Sequence, residues 1–198
     1  PGSLHRIQIV SDPLATMTPE PSDNPEQHAP PSAVIFDAPT ADDSTFMALA
    51  LDQARLARDL DEVPVGAVIV IDGRVVGAGH NQVRTLGDPT AHAEILALRE
   101  ACRATGDGRL PGAVVYTTLE PCFMCAGALT HARVARVVWG ARDPKFGGCV
   151  SLGHTLQHPR ANHRAACTEG VGQDDARELL QTFFRSKRRV GEADASDS

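Results

Sequence analysis

At 198 residues, 42% hydrophobic and 22% charged, the chain suits one ordinary globular domain and is too short for two comfortable ones. No run approaches the ~18 uninterrupted apolar residues of a membrane span, and Ile7–Val10 falls short of the ~7–15-residue apolar core of a secretory signal. A cytoplasmic protein is expected. The formal charge of −6 argues against a nucleic-acid partner until its distribution is followed. Five acidic residues oppose Arg6 in residues 1–40, and Glu192, Asp194 and Asp197 crowd residues 191–198. The middle is near neutral and ends in Arg185, Lys187, Arg188 and Arg189, a cluster that fits a helix end or a phosphate contact.

Residues 1–40 read as a disordered acidic lead, with Pro13, Pro19, Pro21, Pro25, Pro30, Pro31 and Pro39 and no apolar periodicity. The opening Pro1-Gly2-Ser3 reads as an expression remnant. Residues 41–190 form the expected domain, and residues 191–198 a second disordered tail. A first helix begins near Asp43 or Ser44, with Phe46, Leu49, Ala50, Ala54, Ala57 and Leu60 on one face. Val65–Ile71 and Arg74–Gly79 are strands joined at Asp72-Gly73, a strong hairpin signal. Asp88-Pro89-Thr90 ends at a helix over Ala91–Ala104, closed by Gly106. A strand at Ala113–Thr118 precedes a helix that starts at Pro121 and runs to about Ala132. Val134–Ala141 is a strand, Asp143–His163 a loop and Ala165–Thr168 a short strand. An amphipathic helix from Gln173 to about Lys187 closes the domain. Helices alternating with short apolar strands predict a three-layer α/β/α sandwich around a mixed five-stranded sheet.

Two segments carry chemistry: Thr90-Ala91-His92-Ala93-Glu94 and Pro121-Cys122-Phe123-Met124-Cys125, each at a predicted helix start. Five cysteines are an odd number, and without a signal peptide the Cys122/Cys125 pair reads as metal-binding or redox. Cys102, Cys149 and Cys167 read as small core hydrophobes. Spaced three apart on a helix, Cys122 and Cys125 share a face, and a helix N-terminus favours their thiolates. With the His92 imidazole they make a donor set suited to one Zn²⁺, with the fourth tetrahedral position left free of protein. Glu94 borders the same helix end without joining the metal, as a proton carrier should, and the Ala93 N–H points there too. The general signature of zinc deaminases, His-x-Glu followed by Pro-Cys-x-x-Cys, is met here.

On these residues the chain resembles the cytidine/deoxycytidylate deaminase superfamily and, more narrowly, the bacterial tRNA-specific adenosine deaminase family. The likeness runs from Phe46 to Arg189. It includes Val63–Val68, Asn81, Asp88–Ile95, Thr118–Ala128, Gly140–Asp143, Asn162–Arg164 and Phe183–Arg185. It implies a cytidine-deaminase-like fold and a homodimer with one Zn²⁺ per subunit. His92, Cys122 and Cys125 would be ligands and Glu94 the proton shuttle. Asn81 would hydrogen-bond a flipped base, while Asp143, Phe183, Phe184 and Arg185 would approach a tRNA anticodon loop. The implied reaction is hydrolysis of adenosine to inosine at the wobble position. Two departures stand out: the acidic lead, and Pro144 directly after Asp143. Deamination of a free nucleobase or nucleoside is the alternative within the same chemistry. A structural zinc or RNA-binding module is the alternative outside it, and it requires a fourth ligand such as Cys149 or Cys102.

Overall fold

A computed structural model describes residues 34–196, with side chains as far as residue 188. In chain order it contains α1 (Asp43–Asp59), β1 (Gly66–Ile71), β2 (Arg74–His80), α2 (Val83–Leu86), α3 (Ala93–Thr105) and β3 (Val114–Leu119). These are followed by α4 (Phe123–His131), β4 (Arg136–Ala141), a 3-10 turn at Thr155–Gln157, β5 (Ala166–Glu169) and α5 (Gln173–Ser196). The strands form one sheet in the order β2-β1-β3-β4-β5. β1 pairs antiparallel with β2 and β3, whereas β3–β4 and β4–β5 are parallel. Ala67 and Ile69 of β1 face one core, and Val68 and Val70 face the other, so both sides of the sheet are covered. α3 and α4 pack on the side of Ile69, Val115, Val137 and Trp139. α1 and α5 pack on the side of Val68, Val70, Tyr116 and Val138. The expected three-layer sandwich with a mixed five-stranded sheet is the observed one.

Glycine sets how close α3 comes to the sheet. A Cβ at Gly77 would lie 2.3 Å from the Ala97 carbonyl oxygen, and one at Gly79 2.5 Å from that of Ala93. The helix backbone therefore rests directly on β2. That contact brings the start of α3 level with the end of β2, where Asn81 N–H donates to Val65 O and Gln82 N–H to Ala91 O.

Several local expectations shift. The buried stripe of α1 is Met47, Ala50, Leu51, Ala54 and Ala57, while Leu49 and Leu60 face solvent. The stripe keeps helical spacing but is rotated towards Met47 and Leu51, which reach the sheet. The lead, expected to stay outside the fold to residue 40, joins it earlier. Phe36 bridges in parallel to Cys167, Asp37 N–H donates to Cys167 O, and the Phe36 ring meets Trp139 edge-on. The apolar run Val34-Ile35-Phe36 supplies what the proline-rich composition hid. Residues 1–33 of the lead lie outside the described residues. α5 continues through Ser196, past its expected end near Lys187 and into the expected disordered tail. No proline interrupts it, and Gly191 alone costs only ~1 kcal/mol in a helix interior. The four-residue α2 carries too little periodicity to be read from sequence.

A buried ion pair ties the layers together. Arg136 of β4 donates from both guanidinium ends to Asp43 at the start of α1, at 2.9 and 2.7 Å. The Tyr116 hydroxyl and the Thr40 N–H also donate to Asp43. Burial pushes this carboxyl upward, but the bonds from Arg136, Thr40 and Tyr116 win and hold it at about 2. A folded-state value below the unfolded one stabilises above the unfolded pKa of ~3.9 and is lost as pH falls through about 2. Asp43→Asn is expected to lose about 2 kcal/mol at pH 7. In urea unfolding the gap from wild type should close between pH 4 and pH 2; a gap constant with pH would contradict the ion pair's role.

Candidate active site

Two helix starts meet at one point. His92 is the N-cap of α3 (φ −73, ψ 153) and Cys122 the N-cap of α4 (φ −69, ψ 171), both in extended backbone that turns their side chains off the helix ends. Cys125, one turn into α4, is fully buried. His92 Nδ1 lies 3.7 Å from Cys122 Sγ and 3.5 Å from Cys125 Sγ, and the three donor atoms fall within 4.8 Å of one another. A tetrahedral zinc with Zn–N of ~2.0 Å and Zn–S of ~2.3 Å requires N···S separations of ~3.5 Å. The donors are spaced and typed for that ion. A hydrogen bond from the Cys125 thiol and the neighbouring His92 draw the Cys122 thiol down to about 4, while Cys125 is pushed up.

Glu94 stands in the first turn of α3, 4% exposed and outside the trio of donors. Burial pushes its carboxyl up to about 7, against the opposing pull of His92. Such a group can hold or release a proton near neutral pH. Among the described residues no fourth donor joins the trio. Cys149 is buried elsewhere with its thiol on Pro121 O, so the structural-zinc alternative lacks its required ligand there.

The Cys122 segment is held from below by a second carboxylate. Glu120 is buried, and its Oε1 accepts from the N–H groups of Cys149, Val150 and Ser151 at 3.2, 2.7 and 2.9 Å. Its Oε2 accepts from Asp143 N–H at 3.1 Å and from the Ser151 hydroxyl. The loop wraps so tightly that a Cβ at Gly147 would strike the carboxylate at 2.3 Å. Cys122 bridges Gly147, and Gly148 N–H donates to Pro121 O. Above this floor opens a cleft of about 1070 Å³ lined by Asn81, His92, Glu94 and Cys122.

The family model for the cytidine and deoxycytidylate deaminase zinc-binding region matches residues 40–141. The tRNA-specific adenosine deaminase of Agrobacterium fabrum is 48% identical over 148 residues, spanning 75% of this chain and 97% of its own. A solved structure from a study of A-to-I editing by tRNA:A34 deaminases at the wobble position is 47% identical with a TM-score of 0.67. It covers 69% of this chain and 99% of that one. The chain belongs to the tRNA-specific adenosine deaminase family, within the zinc-binding cytidine and deoxycytidylate deaminases. A guanine deaminase from Nitrosomonas europaea shares the fold more distantly, 26% identical with a TM-score of 0.62 over 78% of this chain and 87% of that one.

In this tRNA-specific adenosine deaminase relative, the residues expected at the site divide into two groups. His92, Glu94, Cys122, Asn81, Asp143, Phe184 and Arg185 line the cleft, with Cys125 directly behind. Phe183 and Ala93 do not line it. The Phe183 ring is buried, packed edge-on against Phe184 and beneath the Lys187 ammonium. Consecutive helix residues point ~100° apart, so only Phe184 can face the cleft when Phe183 faces the core. The Ala93 side chain is buried under β2, so what it can offer is its N–H at the first position of α3, where no helical acceptor exists. Asp143 accepts from Lys145 and Phe146 N–H and so shapes its own loop. Phe123, between the two cysteines, is half exposed.

Glu62, Glu120, Arg84, Lys145 and Phe146 also line the cleft without having been singled out from the sequence, and Arg188 of the basic cluster lines it too. For Phe146, 67% exposed on the cleft lip, its place inside the Gly- and Pro-bearing loop after Asp143 was the available signal. Glu120→Ala strips the acceptor from four buried or part-buried N–H groups and should destabilise the protein by ~3 kcal/mol or more. Zinc-loaded Glu120→Ala should also release metal to a chromophoric chelator faster than wild type. An unchanged release rate would mean the loop does not brace the donors.

Proposed function

We propose that the protein hydrolyses adenosine to inosine at the wobble position of tRNA, releasing ammonia, with His92, Cys122 and Cys125 as the ligands of one zinc per subunit. The observation that carries this reading is Glu94. It is a buried carboxyl beside a three-donor set, on the floor of a cleft wide enough to admit a nucleotide with its neighbours. Zinc, when bound, supplies the Lewis acidity that brings water's ionisation from pH ~15.7 towards ~7. Glu94 takes the proton of the attacking water and hands it to the adenine ring nitrogen as the C6–O bond forms. Glu94 then takes the proton of the C6 hydroxyl and passes it to the exocyclic amine as the C6–N bond breaks and the C6 carbonyl forms, so that adenosine plus water gives inosine plus ammonia. Asn81 at the cleft wall is suited to hydrogen-bond the base, and a base in a duplex is out of reach, which favours a loop nucleotide.

Support for RNA over a free base comes from the rim. Arg84, Lys145, Arg185 and Arg188 line it together with the exposed rings of Phe146 and Phe184. Cations suit phosphates and exposed rings suit unstacked bases, whereas a lone nucleobase leaves most of this rim unused. The relatives' activity on tRNA supports the same choice. The substrate also assigns the protein to the cytoplasm; no helix of the described residues is long and apolar enough to cross a membrane. A second copy of the chain is the partner we assign to the shallow groove of about 830 Å³ beside α4, where Phe123 and Leu152 stand half exposed. Leu152→Glu should then shift light-scattering mass from dimer to monomer; a wild-type protein that is itself monomeric would remove this assignment.

Incubation with an anticodon stem-loop bearing adenosine at the wobble position should yield inosine, while free adenosine, cytidine and guanine remain unchanged. Deamination of a free compound alone would reject RNA as the substrate. Glu94→Ala should retain stoichiometric zinc yet lose turnover by ~10²-fold or more, the scale of a general acid–base group. Wild-type turnover in that variant would overturn the mechanism.

A further inference from the structure

Glu62 is 1% exposed, and among the described residues no Lys, Arg or His lies within ion-pair distance of it. A buried carboxylate without a cation is costly unless hydrogen bonds occupy its oxygens. Two do. Oε2 accepts from Asn81 Nδ2 at 3.2 Å, and Oε1 accepts from Thr85 N–H at 2.6 Å. The chain delivers Glu62 there through a tight exit from α1. Asp61 takes a left-handed φ of 61°, and Glu62 N–H folds back onto Ala57 O. Its neighbour Asp61 faces outward to Arg84 and Lys187 instead.

Both partners of Glu62 belong to the cleft. Asn81 lines it with His92 and Glu94, and α2 contributes Val83 and Arg84 to its wall. Gln82, the N-cap of α2, makes no side-chain capping bond. The Thr85 N–H, without a helical acceptor at that position, is served from across the fold by Glu62.

We propose that Glu62 is a positioning residue for the deamination, its carboxylate fixing which way round the Asn81 amide meets the base and holding α2 in register with that amide. The proposal rests on the deaminase reading given above. An ionised carboxylate only accepts hydrogen bonds, so the amide must turn Nδ2 towards Glu62. Oδ1 and the second amide hydrogen are then left for the base. The reversed amide would set Oδ1 against the carboxylate, acceptor against acceptor. A side chain that could otherwise flip is locked before substrate arrives.

The test is a double-mutant cycle on Glu62→Gln and Asn81→Ala, run on whichever substrate the wild-type zinc enzyme turns over. If the stem-loop is inert and a free base reacts, the RNA assignment fails while the cycle remains readable. Glu62→Gln preserves shape and can still accept from Thr85 N–H, but its amide hydrogens now face Asn81 and favour the reversed orientation. Expected is a ~10–100-fold fall in kcat/KM with zinc content and Tm close to wild type, the scale of one hydrogen bond to a charged group. On the Asn81→Ala background the same change should have little further effect, because its route of action is gone. Equal losses in both backgrounds, or wild-type kcat/KM in Glu62→Gln, would overturn the proposal. A second pair guards against misfolding. Asn81→Asp sets two carboxylates face to face, so adding Glu62→Gln to it should raise kcat/KM, and a further fall would also reject the assignment.

Discussion

Everything at the cleft floor depends on two helix N-termini being brought to one point. His92 and Cys122 are each the last non-helical residue before a helix, and only there can an imidazole and a thiolate reach inward past the helix barrel. What enforces the meeting is close packing. Gly77 and Gly79 let α3 lie backbone to backbone on β2, and β3 ends at Leu119, from which Glu120 and Pro121 lead to Cys122. The donors come out spaced for a tetrahedral ion. A small helix shift of an ångström would spoil that spacing, which explains why the contact layer is glycine and alanine rather than larger residues.

Around the donors, the machinery is made of carboxylates with unlike environments. Glu120 is saturated by N–H donors and stays an anchor. Glu62 holds an amide and a helix start. Glu94 has little to stabilise its charge and is raised towards neutrality by burial. Side chains of one chemical type thus sit in unlike surroundings, which suit Glu120 to bracing and underlie the roles proposed for Glu62 in orienting and Glu94 in proton transfer. The rim is more exposed, with Phe146, Phe184 and long cationic side chains, which suits the RNA substrate proposed for it.

The meeting of His92, Cys122 and Cys125 beside a buried Glu94 was legible in the sequence because the signal is local. Spacing three apart, a helix start and the residue types together leave few readings for His92, Glu94, Cys122 and Cys125. The sandwich was legible because each strand is a compact apolar run bounded by turn chemistry. Glu62 and Glu120 were not legible, since each gains its meaning from partners 19 to 31 positions away. Neighbours one residue apart were also hard to separate: nothing in Phe183-Phe184 says which ring is core, and the packing of α5 decides it. Composition misled at Val34–Phe36, where three apolar residues inside a proline-rich lead were enough to pair with β5.

The central claim is a three-donor protein set for one zinc ion. X-ray absorption at the zinc edge of the purified, stoichiometrically loaded protein measures it most directly. The account expects two sulfur neighbours at ~2.3 Å, one imidazole nitrogen at ~2.0–2.1 Å and one further light atom from solvent. A third sulfur, a second imidazole, or protein that binds no stoichiometric zinc would contradict it.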